Sequence, residues 1–486
     1  MIRAYQVKGN HWLAPREVED AVYPFMGPDK SADDVEHARA ALQKVYEAKG
    51  YPTVAVLIPE QSVDGGIIRL EVQPQVIGKV TVTGTSNAAK LLSMAPSLRS
   101  GEVPNFQAVQ KDVIALNSSP GRQVTPDIKA GDAPGTIDVN LKVDETTAWH
   151  GSAEVNNYNS PQTTELRVGS TLRYDDLWGR GDSISLSGQT APERTQDATV
   201  ASANYLAHLG PLQLLAYYVH SDSNIGIVGG TTVIGKGDMG GLRVIVPLGQ
   251  APGFYHSLTA GIDYKDFGES VALGADRSSA PLKYFPFTLA WRGDWSSERA
   301  KSYLSASGTF NIRELGDGLD RFNYKRYQAS PNFSLVKVEG ATTRDTWEDL
   351  QVYLHMSGQW SDSPLVSNEE LSVGGQDTVR GYYESETLGD YGIAGQLELR
   401  SPALFKHLGP LDELRLLAFY DEGYSGIHAP LNGQDNHSWL ASSGGGLRIK
   451  LSKHFNGSLD TGVPLRAGPS SHSHVAFFRF RVWGEF

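Results

Sequence analysis

This sequence of 486 residues contains no cysteine and no long uninterrupted apolar run. The absence of cysteine excludes disulfides, which is compatible with an oxidising compartment without being proof of one. The absence of a run of about 18 apolar residues argues against a transmembrane helix. This absence does not exclude a barrel of transmembrane strands, because such strands are short and apolar only at alternate positions.

An excess of basic residues is also lacking, since the formal net charge is −12 at pH 7. A nucleic-acid-binding protein would carry a basic face, so that class of protein is disfavoured. Glycine and tyrosine, by contrast, are frequent, with 52 and 21 residues. This composition suits an all-β protein, and the length is sufficient for two or three domains.

The first 146 residues carry one pattern twice. Residues 1–74 predict a short strand, a short helix, a longer helix and two strands, and residues 75–146 repeat that order. Ser31 and Asp34 form a capping box before the longer helix of the first copy, and Gly50 ends that helix. Because repeats in a sequence indicate repeated structural units, we predict two small α+β domains. The three-stranded sheet of each domain is expected to leave an exposed edge, to which an extended chain can add as a further strand.

Residues 147–486 contain about sixteen alternating segments separated by turn residues, and a bacterial barrel requires an even number. The last segment, Val475–Phe486, alternates apolar and charged side chains. Its apolar face carries Phe478, Phe480, Val482 and Phe486, and its polar face carries Arg479, Arg481 and Glu485. A barrel of this size has a lumen wide enough for water or an inserted loop, and the arginines of the inner faces predict a polar, cationic lumen. The alternative is a soluble β-sandwich, which leaves the aromatic C-terminus unexplained.

The most distinctive stretch is Leu371–Pro402, a glycine-rich loop that ends as a strand. From Ile393 onward the residues alternate, which places Glu398 on the polar face of that strand. The loop contains the tetrapeptide Val379-Arg380-Gly381-Tyr382, whose glycine permits a turn that other residues resist. Such a turn would project Arg380 in a fixed direction, and a guanidinium held in this way favours a carboxylate.

A suitable carboxylate follows in the segment Phe419-Tyr420-Asp421-Glu422-Gly423. Alternation along the predicted strand Glu413–Asp421 puts Asp421 on the same polar side as Glu398. The alternative is a surface hairpin in which Arg380 is solvated.

Together, the motifs G-G-x-x-x-V-R-G-Y, G-D-x-G, E-L-R-S-P and F-x-D-x-G resemble the signature of the Omp85 superfamily. The resemblance is strongest to its two-partner secretion transporters, of the haemolysin-activator and filamentous-haemagglutinin type. The repeated β-α-α-β-β unit resembles the POTRA domain, which this superfamily carries in tandem before its barrel. The phrases Tyr51-Pro52, Ile58–Gln61 and 117–124 are similar to those of the first and second POTRA domains of the family.

The resemblance implies POTRA domains at residues 1–74 and 75–146, and an all-β outer-membrane barrel of about 16 antiparallel strands at residues 147–486. It also implies a long loop at about residues 361–390, between the eleventh and twelfth strands, that folds into the lumen. There the loop motif would meet residues of the barrel wall. The motif residues are Val379, Arg380, Gly381 and Tyr382, and the wall residues are Phe419, Asp421, Gly423 and Glu398.

The resemblance further implies a transporter in the outer membrane of a Gram-negative bacterium, with its POTRA domains in the periplasm. Its partners would be outer-membrane lipid and a large unfolded exoprotein, which the POTRA domains bind and the lumen passes to the surface. That exoprotein would be an adhesin, a haemolysin or a contact-dependent toxin. The alternative is an insertase of the barrel-assembly kind, which opens the seam between its first and last strands. Two POTRA domains argue against a third class, the passive porins.

An exported barrel needs a signal peptide, and residues 1–5 lead directly into a predicted strand. We therefore expect a mature or N-terminally shortened form. The plug helix that the family often places before the first POTRA domain is not evident in the sequence.

Motifs for enzymatic chemistry are weak. The segment Gly230–Gly237 nearly matches a phosphate-binding loop, but the residue after Lys236 is glycine instead of a hydroxyl residue. His472 and His474 lack the further ligands that a zinc site needs. The acidic pairs Asp175-Asp176 and Glu369-Glu370 are expected to be solvated loop charges, because neighbours in an extended chain face opposite ways. The sequence predicts no enzyme, no cofactor and no metal site.

Overall fold

The computed structural model of the protein describes residues 1–63, 65–85, 87–117, 121–145, 147–223, 225–228, 231–251, 253–268, 270–273, 276–452 and 454–486. Two sequence features fall partly outside these ranges, at positions 118–120 of the second-domain motif and at Gly230 of the segment that is similar to a phosphate loop. The chain divides into two compact units, Met1–Ala148 and Trp149–Phe486. No helix in the described part of the chain is both long and apolar enough to cross a bilayer.

The first unit begins with a three-stranded sheet and two helices. Its elements are β1 (Ala4–Lys8), α1 (Pro15–Val22), α2 (Ala32–Ala48), β2 (Val54–Leu57) and β3 (Ile67–Pro74). The strand order is β1-β3-β2, with β1 parallel and β2 antiparallel to β3. Helix α2 begins with the capping box of Ser31 and Asp34. Its apolar face packs Leu42 and Tyr46 against Leu70 of the sheet, and all three are fully buried.

The same topology follows a second time. Its elements are β4 (Val76–Thr83), α3 (Ala88–Ser93), α4 (Phe106–Leu116), β5 (Arg122–Ala130) and β6 (Thr136–Glu145). The strand order is β4-β6-β5, again with one parallel and one antiparallel pair. A separate apolar core forms between sheet and helices, around Ile77, Leu116 and Leu141. Each copy therefore buries its own helical face.

The first sheet has two edge strands, β1 and β2, and a helix side chain occupies part of the β2 edge. The side-chain amide of Gln43, on α2, donates to the carbonyl of Val54 at 2.8 Å and accepts from the N–H of Val56 at 2.9 Å. An added parallel strand would make the same two hydrogen bonds. Asn117, which follows α4, binds both backbone groups of Val124 on β5 in a similar way. Strand alternation in a sequence does not show that a helix side chain occupies an edge.

The second unit is almost wholly extended. Its first strands are β7 (Trp149–Asn156), β8 (Arg167–Leu177), β9 (Asp182–Thr190), β10 (Thr199–Leu209), β11 (Leu212–Ser221), β12 (Ile225–Val228), β13 (Thr231–Ile234), β14 (Gly237–Ala251), β15 (Phe254–Phe267), β16 (Ser270–Leu273), β17 (Asp276–Ser279), β18 (Leu282–Ser296) and β19 (Ala300–Gly316). After helix α5 (Leu319–Lys325) come β20 (Ser334–Asp345), β21 (Gln351–Ser361), β22 (Leu371–Val373), β23 (Thr387–Gly389), β24 (Tyr391–Arg400), β25 (Phe405–Leu408), β26 (Leu411–Gly426), β27 (His437–Leu451), β28 (Phe455–Pro464) and β29 (Phe477–Glu485).

Sixteen of these strands form a closed antiparallel barrel, which confirms the predicted fold class. The hairpins β12–β13, β16–β17 and β22–β23 are separate two-stranded sheets, and the short β25 pairs with β26 along the edge that β24 also uses. The ring closes between β29 and β7. Counted around the wall, β21 is the eleventh strand, β24 the twelfth and β26 the thirteenth. The connection between β21 and β24 is the predicted long loop.

The two ends of the barrel differ in the length of their connections. At one end neighbouring strands join through short turns, such as the two residues between β10 and β11. At the other end the connections are long, such as residues 317–333 between β19 and β20 and residues 362–390 between β21 and β24. Bacterial outer-membrane barrels place short turns in the periplasm and long loops outside the cell.

Side chains alternate across the wall as predicted. Outward positions are apolar and exposed, as at Leu242, Leu289 and Phe478, which suits contact with lipid. Inward positions are polar, as predicted, and carboxylates offset part of the positive charge that the arginines bring to the lumen. Several inward arginines are paired with carboxylates on neighbouring strands, as in Arg243–Asp263 at 3.0 Å and Arg481–Glu154 at 2.5 Å. The alternation identifies the inner face, whereas these partners depend on the strand register.

Candidate functional site

The connection between β21 and β24, residues 362–390, folds back against the inner wall; we call it the inward loop. Its short strands β22 and β23 pair with each other from Leu371 with Gly389 to Val373 with Thr387. Val373, Val379 and Tyr382 are fully buried and pack against Leu440 of β27. An apolar contact therefore fixes the loop to the β24–β29 side of the barrel.

Arg380 lies at the centre of this contact, with only 2% of its side chain exposed. Its Nε donates to Oδ2 of Asp421 at 2.7 Å, and its Nη2 donates to Oδ1 at 2.9 Å. The backbone N–H of Arg380 also donates to Oδ2 of Asp421, at 3.0 Å. A two-point guanidinium–carboxylate contact fixes orientation as well as distance, so Asp421 holds both the side chain and the backbone of Arg380.

A second carboxylate completes the pairing of Arg380. Its Nη1 donates to Oε2 of Glu398 on β24 at 2.5 Å. Glu398 also accepts from Arg448 of β27 at 3.2 Å and from Arg400. Arg448 in turn donates to Asp460 of β28 at 2.8 Å. Buried charges are tolerated when they are paired and hydrogen-bonded, and this network of alternating charges meets that condition.

Phe419 and Gly423 explain the rest of the F-x-D-x-G motif on β26. The Phe419 ring lies beneath the Arg380 guanidinium, 3.7 Å from its carbon to the ring centroid, a cation–π contact that favours the cation away from water. At Gly423 a Cβ atom would lie 2.5 Å from a methyl group of Val373 and 2.8 Å from one of Val379. Only glycine therefore leaves room for the apolar part of the inward loop.

Gly381 is required for two reasons. Its φ of +89° is a conformation that side chains other than glycine rarely adopt. A Cβ atom there would also lie 3.1 Å from the carbonyl carbon of Gly462 on β28. This close approach lets the next residue, Tyr382, reach the wall, where its hydroxyl lies 2.9 Å from the carbonyl of Ala441 and 2.8 Å from that of Arg466.

Burial alone would lower the pKa of Arg380, but its hydrogen bonds to Asp421 and the charges of Asp421, Glu398 and Asp460 raise it. Arg380 therefore stays a cation, and the contact does not switch off by loss of its proton.

Arg479 of β29 is a member of the site that the sequence motifs did not identify. Its guanidinium is buried and donates to the Asn159 side chain at 2.7 Å, to the backbone carbonyls of Asn157 and Asn159, and to the carbonyl of Tyr382 at 3.4 Å. It thus joins the last strand, the segment after the first strand and the inward loop. Strand alternation had placed Arg479 on the inner face, but nothing in the sequence gave its partners.

The acidic pair Glu369-Glu370 is buried, with 5% and 8% of the side chains exposed, so the expectation of solvated loop charge is wrong. Glu369 accepts from the Tyr284 hydroxyl at 2.7 Å and pairs with Lys265, whereas Glu370 pairs with Arg326. Because residues 367–369 form a 3₁₀ turn, the two side chains are not opposed as in a strand. Asp175 is likewise buried, beside His150 and Arg173, whereas Asp176 is exposed as expected.

Comparison with known protein families gives two matches. The model of the haemolysin secretion/activation proteins ShlB/FhaC/HecB matches residues 135–238 and 289–449, together more than half of the chain. The model of the ShlB-type POTRA domain matches residues 1–74. This chain belongs to the ShlB/FhaC/HecB family.

Individual relatives are distant but extend over nearly the whole transporter. The outer membrane transporter CdiB of Dickeya dadantii is 23% identical over 483 residues, covering 95% of this chain and 82% of the relative. The heme/hemopexin transporter protein HuxB of Haemophilus influenzae is 20% identical over 478 residues, covering 94% and 82%. The solved structure of CdiB from Escherichia coli superposes with a TM-score of 0.74 at 20% identity, covering all of this chain and 90% of that one.

These matches confirm the resemblance inferred from the motifs. The protein is a two-partner secretion transporter of the Omp85 superfamily, located in the outer membrane, with its POTRA domain in the periplasm. Transporters of this kind act together with a secreted exoprotein. The long-loop end of the barrel is therefore the extracellular end, and the short-turn end faces the periplasm.

Substitutions at the Arg380–Asp421 contact should stop secretion without preventing barrel assembly. Arg380→Ala leaves Asp421 buried without its cation, and Asp421→Ala removes the two-point contact and the backbone hydrogen bond while Arg380 keeps its bond to Glu398. Breaking a buried pair costs about 3–5 kcal/mol, here to the position of the loop. The hydrogen bonds between wall strands are unaffected. We expect most secretion to be lost while the heat-modifiable barrel stays at normal levels in the outer membrane, and we expect Asp421→Glu to be milder.

The matched control is Arg243→Ala, which breaks a lumen pair that includes no residue of the inward loop. Secretion at the wild-type level from Arg380→Ala, with equal protein in the outer membrane, would show that Arg380 has no role in transport.

Proposed function

We propose that this transporter binds one large unfolded exoprotein through its two α+β domains and passes it through the barrel lumen to the cell surface. In this proposal residues 75–146 are a second POTRA domain, Arg380 and its wall partners keep the inward loop in its transport-competent position, and outer-membrane lipid surrounds the apolar outer face. The observation that carries the proposal is the unequal covering of the lumen. The inward loop covers the inner wall along β24 to β28, whereas the wall from β18 to β20 stays accessible toward its periplasmic end.

The covered side runs along β24 to β28. Polar side chains that point inward there are almost fully buried, namely Gln396, Asp421, Ser425, Ser442 and Asp460. On β18 and β20, outside the covered strands, inward residues keep much of their surface accessible. The side chains of Arg292 on β18 and Glu339 on β20 are 47% and 51% exposed. Polar side chains therefore remain accessible on this part of the wall, on the periplasmic side of the contacts that Glu369 makes with Lys265 and Tyr284.

A cavity of about 690 Å³ lies on this accessible part of the wall, close to the periplasmic turns. Its inward-facing lining includes Tyr255, Asp294, Lys301, Tyr303 and Tyr353. Arg292 stacks on Tyr303 at 4.3 Å from the ring centroid. Tyrosines beside charges of both signs can contact apolar side chains and polar main-chain groups alike. Such a surface suits an unfolded polypeptide of varied sequence.

The exoprotein would first meet the α+β domains. An extended segment can add to a sheet edge through main-chain hydrogen bonds that are largely independent of its sequence. At β2 the Gln43 amide already holds the two positions that such a segment would use. We propose that the exoprotein displaces this side chain. Because the sequence motifs for nucleotide binding are weak, we propose that transport does not use nucleotide hydrolysis. Folding of the exoprotein outside the cell would drive its passage.

One observation favours the alternative function of a barrel-assembly insertase. The seam between β29 and β7 is short, with five residue pairs from Arg481–Asn156 to Glu485–Ser152 and a further pair in which Gly151 and Phe486 exchange two backbone hydrogen bonds. Side chains reinforce this seam, however, since the Asn157 amide binds backbone groups of Phe478 and Phe480 at 2.9 and 2.8 Å. Because the matched family is one of secretion proteins, secretion is the function that we propose.

Single cysteines can map the route, since the chain has none of its own. Ser305→Cys places a thiol on the accessible inner wall of β19, and Ser442→Cys places one beneath the inward loop. An exoprotein arrested during transport, by a folded domain fused to its C-terminus and with cysteines along its length, should form a disulfide with the first thiol and not with the second. Cross-linking at Ser442→Cys alone would place the route on the covered side and contradict the proposal.

Gln43→Ala should strengthen the binding of the exoprotein to purified residues 1–146. Each hydrogen bond that the exoprotein no longer has to replace is worth about 0.5–1.5 kcal/mol, so we expect the dissociation constant to fall several-fold. The measurement is titration calorimetry with the unfolded N-terminal segment of the exoprotein, which we expect to be encoded beside the transporter gene.

Gln107→Ala is the control, because Gln107 also binds a backbone carbonyl, that of Ala48, but away from a sheet edge. Equal affinity of the Gln43→Ala and Gln107→Ala variants would show that β2 is not the docking edge.

A further inference from the structure

The extracellular connection between β19 and β20, residues 317–333, packs against the base of the inward loop. Phe322 of α5 and Phe333 are buried in one cluster with Tyr284 of β18 and with Leu365 and Val366 of the inward loop. The Tyr284 ring meets the rings of Phe322 and Phe333 edge to face, with centroids 5.6 and 6.1 Å away. We call residues 317–333 the outer segment, and we call Leu365, Val366, Glu370 and Asp390 the loop stem.

Arg326 follows α5 and is the charged contact between the outer segment and the loop stem. Its Nη2 donates to Oδ2 of Asp390 at 2.8 Å, and its Nη1 donates to Oδ1 of Asp390 at 3.1 Å and to the carbonyl of Leu365 at 2.8 Å. It also pairs with Glu370. Leu365 and Glu370 belong to the leg of the loop that leaves β21, and Asp390 ends the leg that enters β24. One guanidinium therefore holds both legs.

Asp390 depends on this contact. Its side chain is fully buried and accepts from the backbone N–H of Leu365 at 2.7 Å and of His428 at 2.6 Å. Hydrogen bonds from neutral donors orient a carboxylate but do not balance its charge. The balancing cation is Arg326, and a buried carboxylate that loses its cation is strongly disfavoured.

The contacts of Arg326 and those of Arg380 share no residue. Arg380 binds Asp421 and Glu398 of the wall through the tip of the inward loop. Arg326 binds the loop stem from the extracellular side. Among the charged contacts of the described loop, these two are bidentate arginines on a buried aspartate, and the pair of Glu369 with Lys265 is a further one.

We propose that Arg326 is a positioning residue that holds the stem of the inward loop in the barrel mouth, independently of Arg380 at the tip. The proposed consequence for secretion rests on the function proposed above, whereas the position of the stem can be measured without an exoprotein. Loss of Arg326 removes the charged contact that joins the two legs to the outer segment and leaves Asp390 without its cation, which loosens the packing of the outer segment on the stem. Residues that the outer segment buries then become accessible from outside the cell.

Val366→Cys reports this loosening, because Val366 is 1% exposed beneath the outer segment and the chain has no other thiol. Intact cells that carry the variant are treated with a membrane-impermeant maleimide. We expect the thiol to be protected in the Val366→Cys parent and to react at least tenfold faster when Arg326→Ala is added. Arg326→Lys keeps the charge but not the two-point contact, so it should give an intermediate rate.

The control is Arg243→Ala added to the Val366→Cys parent. Arg243 is a lumen arginine that also pairs with an aspartate, Asp263, but it does not contact the stem. The labelling rate of this control should equal that of the parent, and heat-modifiable mobility should show equal assembly of all variants. Equal protection in the Arg326→Ala variant and the parent would overturn the proposal. If Arg326→Ala does not assemble, Glu370→Gln and Asp390→Asn decide the question in the same way, since each removes one charged partner of Arg326 with little change in shape.

Secretion is measured in parallel. Faster labelling with reduced secretion supports both the role of Arg326 and the proposed function. Faster labelling with normal secretion supports the anchor and counts against the proposed role of the inward loop in transport, so the two failures are distinguishable.

Discussion

The buried contact between Arg380 and Asp421 is the interaction on which the organisation of the barrel lumen depends. A guanidinium removed from water is stable only when its charge and its N–H groups are satisfied. Asp421 and Glu398 satisfy Arg380, and neighbouring strands must hold these carboxylates in register. The backbone N–H of Arg380 uses the same carboxylate. The inward loop and four wall strands, β24 and β26 to β28, are thereby coupled through one network of charges.

The apolar and small residues of the motifs serve this contact. Gly381 permits the turn that brings Arg380 to the wall, and Gly423 leaves space for Val379. Tyr382 extends the contact to β27, and Arg479 extends it to the β29–β7 seam through the Tyr382 carbonyl. The motif and the seam are therefore physically connected. The inward loop is therefore hydrogen-bonded to β29, one of the two strands that close the barrel.

Much of this could be predicted from the sequence, because the strongest signals are local. Alternation gave the number of wall strands and placed Asp421 and Glu398 inward, and the capping box at Ser31 gave the start of α2. The part of the β2 edge occupied by Gln43, the paired lumen arginines and the burial of Glu369 and Glu370 could not be predicted in this way. Each depends on which residues of distant segments become neighbours, and a single sequence shows the face of a strand without its register.

The most direct test of the central claim is the position of the inward loop measured in the presence and absence of Arg380. Asp377→Cys places a spin label on the exposed turn of the loop, and Thr343→Cys places one on the inner face of β20. Pulsed electron paramagnetic resonance then gives the distribution of distances between the labels. The account predicts one narrow distribution in the labelled parent and in Arg243→Ala, and a broad, shifted one in Arg380→Ala. An unchanged narrow distribution in Arg380→Ala would contradict it.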